Sequence, residues 1–215
     1  MRIPLKNILK RQAQVRLAEL QDEAVDLVYA VFPDAVLHGG TAIWRCFQGN
    51  RFSEDLDFYA LVGKDFKPKL EAELKKRGLF LVKFKQTENA VFAKISNSQA
   101  EVSLEISVRK SPEKVSAGFE KTDGSFIEIF SLSPEIFIVE KANAYQNRRL
   151  VRDLYDVYFL LGKTREAKKF EKELEKLVKN FKPPLDEKNL KTLVFSGIAP
   201  SSKVMLEKIR QRSSL

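Results

Sequence analysis

Two aspartates one residue apart, Asp55 and Asp57, lie downstream of two glycines and a threonine, Gly39, Gly40 and Thr41, in the stretch LHGGTAIWRCFQGNRFSEDLDFYA. On a strand, alternate side chains share a face. Ser53, Asp55 and Asp57 then point one way, and Leu56 and Phe58 point toward a core. The two carboxylates would sit about 7 Å apart along the strand. They repel each other unless they stay solvated or share a cation. Mg²⁺, or Mn²⁺ in its place, suits such a pair: it prefers oxygen and is commonly held by one or two carboxylates plus substrate phosphates. The glycines supply the other half of that chemistry. A Gly-Gly turn entering a helix offers backbone N–H groups and a favourable dipole to a phosphate. Glycine also lets a triphosphate approach the chain closely. Thr41 adds a hydroxyl and is the expected N-cap.

Either feature alone is commonplace, a turn or a surface acidic pair; it is their succession that points to a site. DLDFYALVG lacks the alternating ligands and central glycine of an EF-hand. GGTAIW is not the G-x-G-x-x-G of dinucleotide binding.

The elements that must position these residues follow from periodicity. LKNILKRQAQVRLAELQDEAVDLVYAVF reads as one or two opening helices. AVLHGG is a short strand, TAIWRCF a helix, DLDFYALV a strand, and KPKLEAELKKRG a helix closed by Gly78. LFLVKFKQT, AVFAKISN and EVSLEISVRK are strands. A loop leads to a further strand in GSFIEIFSL. From Ser133 the pattern becomes helical. Ser133 is an N-cap with Pro134 in the first turn, and SPEIFIVEKANAYQNRR, RLVRDLYDVYFLLG, REAKKFEKELEKLVKNF, DEKNLKTLVFSG and SSKVMLEKIRQR all read as helices. The expected fold is α/β (α+β), a mixed sheet flanked by helices over residues 1–132. A basic helical bundle follows over 133–215.

Composition limits the alternatives. The chain has 215 residues, 44% of them apolar and 31% charged, enough for a globular core. No run approaches the roughly 18 apolar residues of a membrane span. A single cysteine, Cys46, rules out an internal disulfide and fits the cytoplasm. The net charge of +9 is unevenly placed. Residues 1–140 carry 20 basic and 20 acidic groups, whereas 141–215 carry 18 and 9. The basic C-terminal third fits a polyanionic partner such as RNA, or a lysine-rich solvated surface.

Two motifs resemble a known family. GGTA followed by RFSEDLDF is similar to the first motif of the DNA polymerase β-like nucleotidyltransferases, and more narrowly of the AbiEii/AbiGii toxins. EKANAYQNRRLVRDLYDVYFL resembles that family's later motif. The resemblance implies transfer of a nucleotide from an NTP to an acceptor hydroxyl, with RNA, possibly a tRNA 3′ end, as acceptor and a cognate antitoxin as partner. It assigns Asp55 and Asp57 to the metal, Ser53 and Arg51 to the nucleotide, Lys141 to its phosphates, and a catalytic role to Asp156. Arg152 and Asp153 join the nucleotide-binding set. The other reading of Arg149, Arg152, Asp153 and Asp156 is a local ion-pair cluster on one helix face. Relatives often carry a third carboxylate on a neighbouring strand. Glu105 is the candidate here, or else a surface glutamate.

His38 is expected to be a satisfied histidine at a strand end. Trp44 and Cys46 are expected to pack, as are Tyr145 and Tyr155, although a tyrosine can also stack on a base. Two further readings are a binding module of the same fold without chemistry, and a D-x-D glycosyltransferase. The upstream glycines and the short chain before the aspartates disfavour the glycosyltransferase.

Overall fold

The computed structural model describes residues 3–164 and 167–213. By their internal packing these fall into two units. The first runs to Gln48 and resumes over Phe52–Ser131; the second comprises Gly49–Arg51 and the chain from Leu132 onward.

The first unit is built on a seven-stranded mixed sheet in the order β3-β4-β5-β2-β1-β7-β6. The strands are β1 (Val36–His38), β2 (Leu56–Ala60), β3 (Phe80–Gln86), β4 (Ala90–Ser96), β5 (Glu101–Val108), β6 (Val115–Glu120) and β7 (Phe126–Ser131). β1 runs antiparallel to β2 and parallel to β7, and β2 runs parallel to β5. A one-turn helix α1 (Leu5–Ile8) precedes the long α2 (Gln12–Val31). α2 packs on β5 and on α4 (Phe66–Lys76), while α3 (Gly39–Phe47) packs on β1, β2 and β6. β5 alternates regularly from Glu101 to Ile106 and β2 from Leu56 to Phe58, beyond which Tyr59 and Ala60 are both buried. Leu56, Phe58, Leu104 and Ile106 are buried, whereas Asp57, Ser103 and Glu105 face the other way and stay open.

Two departures from sequence expectation matter for the site. β6 lies where a loop is expected, because VSAGFE offers one bulky aromatic and a glycine and so carries little strand signal. In β3 the register slips between Leu81 and Lys83. That bulge adds Val82 and resets the alternation, so Lys83 and Lys85 share a face with Lys94 and Phe92 rather than with Leu81.

The second unit is helical: α5 (Pro134–Arg148), α6 (Val151–Leu160), α7 (Glu171–Lys179), α8 (Leu190–Leu193) and α9 (Ser202–Arg212). α5 packs on α6 and α7, and α9 packs on α6 and α7. Ser133 caps α5, its hydroxyl accepting from Ile136 N, with Pro134 in the first turn. The expected helix over DEKNLKTLVFSG shrinks to a 3₁₀ turn (Glu187–Asn189) and the single turn of α8. Arg165 and Glu166, at the start of the third expected helix, lie outside the described residues. That helix is a 3₁₀ turn (Ala167–Lys169) followed by α7. Among the described residues, no helix is long and apolar enough to cross a membrane.

Candidate active site

β1 passes into α3 with no intervening loop. His38 ends the strand and Gly39 begins the helix at φ +74°, a conformation open to glycine at little steric cost. Asp57 sits opposite His38 across the antiparallel pair. A methyl group on Gly39 would lie 2.0 Å from Asp57 Oδ2 and 3.0 Å from Asp57 Cβ. The space freed by the glycine thus holds the aspartate's carboxylate, directly at the N-terminus of α3. The glycine expected to let a phosphate approach thus also makes room for this carboxylate.

Thr41 also differs from expectation. It is not the N-cap, because α3 starts two residues earlier, and its side chain is buried. Its hydroxyl donates to the Asp55 carbonyl at 2.6 Å. From α2, Gln21 Nε2 donates to the carbonyls of Ser53 and Glu54, both at 2.9 Å. Three successive carbonyls ahead of β2 are therefore held by two buried side chains, which fixes the backbone that carries Asp55. Sequence reading missed Gln21. Its signal is a polar residue among Leu20, Ala24 and Val25 on the buried side of an amphipathic helix.

Asp55, Asp57, Ser103 and Glu105 line one cleft of about 490 Å³, together with Lys83, Lys85, Phe92 and Lys94. Glu105 is the register partner of Asp57 on β5. Asp55 and Glu105 are exposed and Asp57 is half-buried. Among the described residues, no three His, Cys, Asp or Glu side chains converge tightly enough to cage a metal. The donor set is the Asp57 carboxylate at a helix N-terminus, with those of Asp55 and Glu105 lining the same cleft. That suits a hard cation completed by substrate oxygens, and not one enclosed by protein alone. His38 is stacked on Tyr59, centroids 3.9 Å apart and planes 8° from parallel. Arg109 donates to the Tyr59 hydroxyl at 3.0 Å and lies over its ring.

The remaining sequence candidates sit in the second unit, in a buried charge network. Arg51 reaches Asp156 through two hydrogen bonds of 2.6 Å. Lys141 Nζ lies 3.0 Å from Asp156 and 3.6 Å from Asp153. Arg148 holds Asp153 through two bonds of 2.7 Å. Burial pushes the Asp156 carboxyl up, but Arg51 and Lys141 outweigh it and hold it below the usual carboxylate range. Burial likewise lowers Arg51, and Asp156 more than restores it. The clustering expected with Arg149 and Arg152 has different members. Arg149 is a left-handed residue between α5 and α6, φ 55°, that donates to the Pro183 carbonyl. Arg152 makes no ion pair with either acid. Because α6 begins only at Val151, Arg149 leaves the face that Asp153 and Asp156 share, and Lys141 from α5 meets both acids there instead.

Tyr145 is buried and donates to the Lys182 carbonyl, and Tyr155 is buried too, in keeping with packing roles.

Over residues 27–209 the chain matches the family described as nucleotidyl transferase AbiEii toxin of type IV toxin–antitoxin systems. No curated protein matches the chain. Among solved structures it resembles JHP933 from Helicobacter pylori, with a TM-score of 0.64, 19% identity, and 94% of this chain and 91% of that one covered. It also resembles MenT4, a nucleotidyltransferase toxin from Mycobacterium tuberculosis, with a TM-score of 0.60, 17% identity, and 95% and 85% covered. At these identities the structural likeness concerns the fold, and the family match spans most of the chain. The protein therefore belongs to the AbiEii family of nucleotidyltransferase toxins.

Proposed function

We propose that the protein transfers a nucleotide from an NTP to an acceptor hydroxyl, and that Asp55 and Asp57 hold the divalent metal on which this depends. The observation that carries the reading is the carboxylate of Asp57 lodged over Gly39 at the start of α3. Phosphates drawn to the N–H groups of Gly39 and Gly40 would meet two carboxylates there, and such a meeting repels unless a cation stands among them. Mg²⁺ or Mn²⁺ would neutralise charge at the α-phosphate and orient the acceptor. The chain's own contribution is positional. Gln21 and Thr41 fix the backbone of Ser53–Asp55, and Gly39 leaves room for Asp57. The acceptor hydroxyl releases its proton to solvent as its oxygen bonds to the α-phosphorus, the bond from that phosphorus to the α,β-bridging oxygen breaks, and pyrophosphate leaves with that oxygen.

In the second unit, Lys141 is assigned to offset phosphate charge. Asp153 and Asp156 act on it as positioning residues, since each lies within ion-pair distance of its ammonium. Arg51 satisfies Asp156. Glu105 is proposed as an accessory metal ligand beside Asp57, and Arg152 and Ser53 as further nucleotide contacts. The acceptor is RNA, with a tRNA 3′ end first among those to test, and a cognate antitoxin is the expected protein partner.

The test is pyrophosphate release from each NTP with Mg²⁺ and total cellular RNA. Release that disappears in Asp57→Ala and Lys141→Ala, and on chelation, supports the proposal. Nucleotide binding without turnover under every condition overturns it in favour of a non-catalytic module.

A further inference from the structure

The carboxylates occupy only one end of their cleft. Across the sheet, Lys85 pairs with Phe92, Phe92 with Glu105, Glu105 with Asp57, and Asp57 with His38. In the adjacent row Lys83 pairs with Lys94, and Lys94 with Ser103. All but His38 line the same cleft. Strands lie about 4.8 Å apart, so Lys85 stands about 14 Å from Asp57 along this row. Phe92 is 41% exposed, although its strand neighbours Val91 and Ala93 are buried. Lys83 and Lys85 are exposed and make no ion pair among the described residues, while Lys94 lies 3.1 Å from Glu101. The bulge after Leu81 is what turns Lys83 and Lys85 onto this face.

We infer that this face of β3, β4 and β5 is the platform for a single-stranded nucleic-acid acceptor. Its backbone phosphates lie on Lys83, Lys85 and Lys94, a base stacks on Phe92, and its terminal hydroxyl is directed toward Asp57. Cations with one exposed aromatic among them are the chemistry of sequence-tolerant single-strand binding. Lysines on an edge strand also discourage sheet-to-sheet aggregation. That role needs no aromatic on the same face and no continuity with the acidic end of the cleft. The inference rests on the transferase reading for its purpose, but its binding component is measured separately.

The experiment is fluorescence anisotropy of a labelled single-stranded RNA of mixed sequence on the full chain, without NTP, over a salt series. Each variant's fold is checked by circular dichroism. Lys83→Ala with Lys85→Ala should weaken binding about tenfold and reduce the log–log salt slope by about 1.4, that is about 0.7 per phosphate contact on a single strand. Phe92→Ala should weaken binding about tenfold with the slope unchanged. Lys188→Ala with Lys191→Ala, in the basic C-terminal third, serves as the comparison and should have the smaller effect. The platform is overturned if the C-terminal pair carries the loss, if Phe92→Ala binds like wild type, or if wild type binds no RNA and a protein is the acceptor. Turnover of wild type and of the lysine variants, measured beside binding, separates the two proposals. RNA binding that depends on Lys83 and Lys85, with no turnover in wild type, sinks the transferase and leaves the platform. Turnover on RNA that ignores these lysines does the reverse.

Discussion

Replacing Gly39 by alanine puts a methyl carbon 2.0 Å from Asp57 Oδ2, 2.8 Å from its Cγ and 3.0 Å from its Cβ. Because even the Cβ is that close, rotating the aspartate side chain alone does not clear the clash, and the strand must yield as well. Two costs combine. Holding a non-glycine residue at φ +74° costs about 1–2 kcal/mol. Forcing Asp57 off its rotamer adds about 0.5–1.5 kcal/mol. The expected loss is about 1.5–3.5 kcal/mol, and thermal midpoints of chains this size move about 2–4 °C per kcal/mol. Activity should suffer more, since displacing a catalytic group by about 1 Å can cost about a hundredfold. The decisive assay is a thermal-unfolding double-mutant cycle. In an Asp57→Gly background the carboxylate and its Cβ are both removed, so Gly39→Ala should cost only the backbone term, about 1–2 kcal/mol. Equal costs in the two backgrounds would refute the argument that Gly39 exists to seat this carboxylate.

Asp156→Ala leaves Arg51 buried without its bidentate partner and should destabilise by about 3–5 kcal/mol, whereas Arg51→Met combined with Asp156→Leu should lie nearer wild type in chemical denaturation. The depressed pKa of Asp156 contributes stability above the unfolded value of about 3.9 and loses it as pH falls through the folded value. Asp156→Asn should therefore flatten the fall in stability below about pH 4, followed by circular dichroism. Gln21→Leu should lower turnover more than nucleotide affinity, because it releases the Ser53 and Glu54 carbonyls while leaving every charged group in place. Burial pushes the Cys46 thiol up to about 12, against the smaller opposing pull of Arg45, so alkylation near neutral pH should be far slower than for free cysteine. Mg²⁺ with NTP should raise the melting temperature of wild type and not of Asp55→Ala with Asp57→Ala.

Much of the local structure around the candidate site was legible because it is set by near neighbours in sequence. The alternation of Asp55 and Asp57 with Leu56 and Phe58 carries both the strand and its faces, and Ser133–Pro134 marks the start of α5. What escaped reading depends on chain segments meeting from afar. Asp156 suggested a catalytic acid or a partner for nearby arginines. Its bidentate partner is Arg51, distant in sequence, and Arg148 rather than Arg149 or Arg152 takes Asp153. Thr41 looked like a cap because a hydroxyl after two glycines has that signature, yet its bond to Asp55 exists only once β2 lies beside α3. The facing of Lys83 and Lys85 depends on a bulge, and only the three-residue spacing from Leu81 to Phe84 hints at it.

The three residues Gly49–Arg51 leave the sheet unit and return to it. In between, Arg51 bridges Val194, the Asn50 carbonyl accepts from Phe195 N, and the Arg51 guanidinium grips Asp156. During synthesis this short excursion emerges long before its partners near the C-terminus. The helical half cannot finish assembling until Val194 and Phe195 have been made, and a ribosome stalled after Ser131 would carry an arginine with no acid to meet it. Neither half can be excised as one uninterrupted segment, so a premature stop before Val194 deprives the early chain of an anchor as well as removing helices.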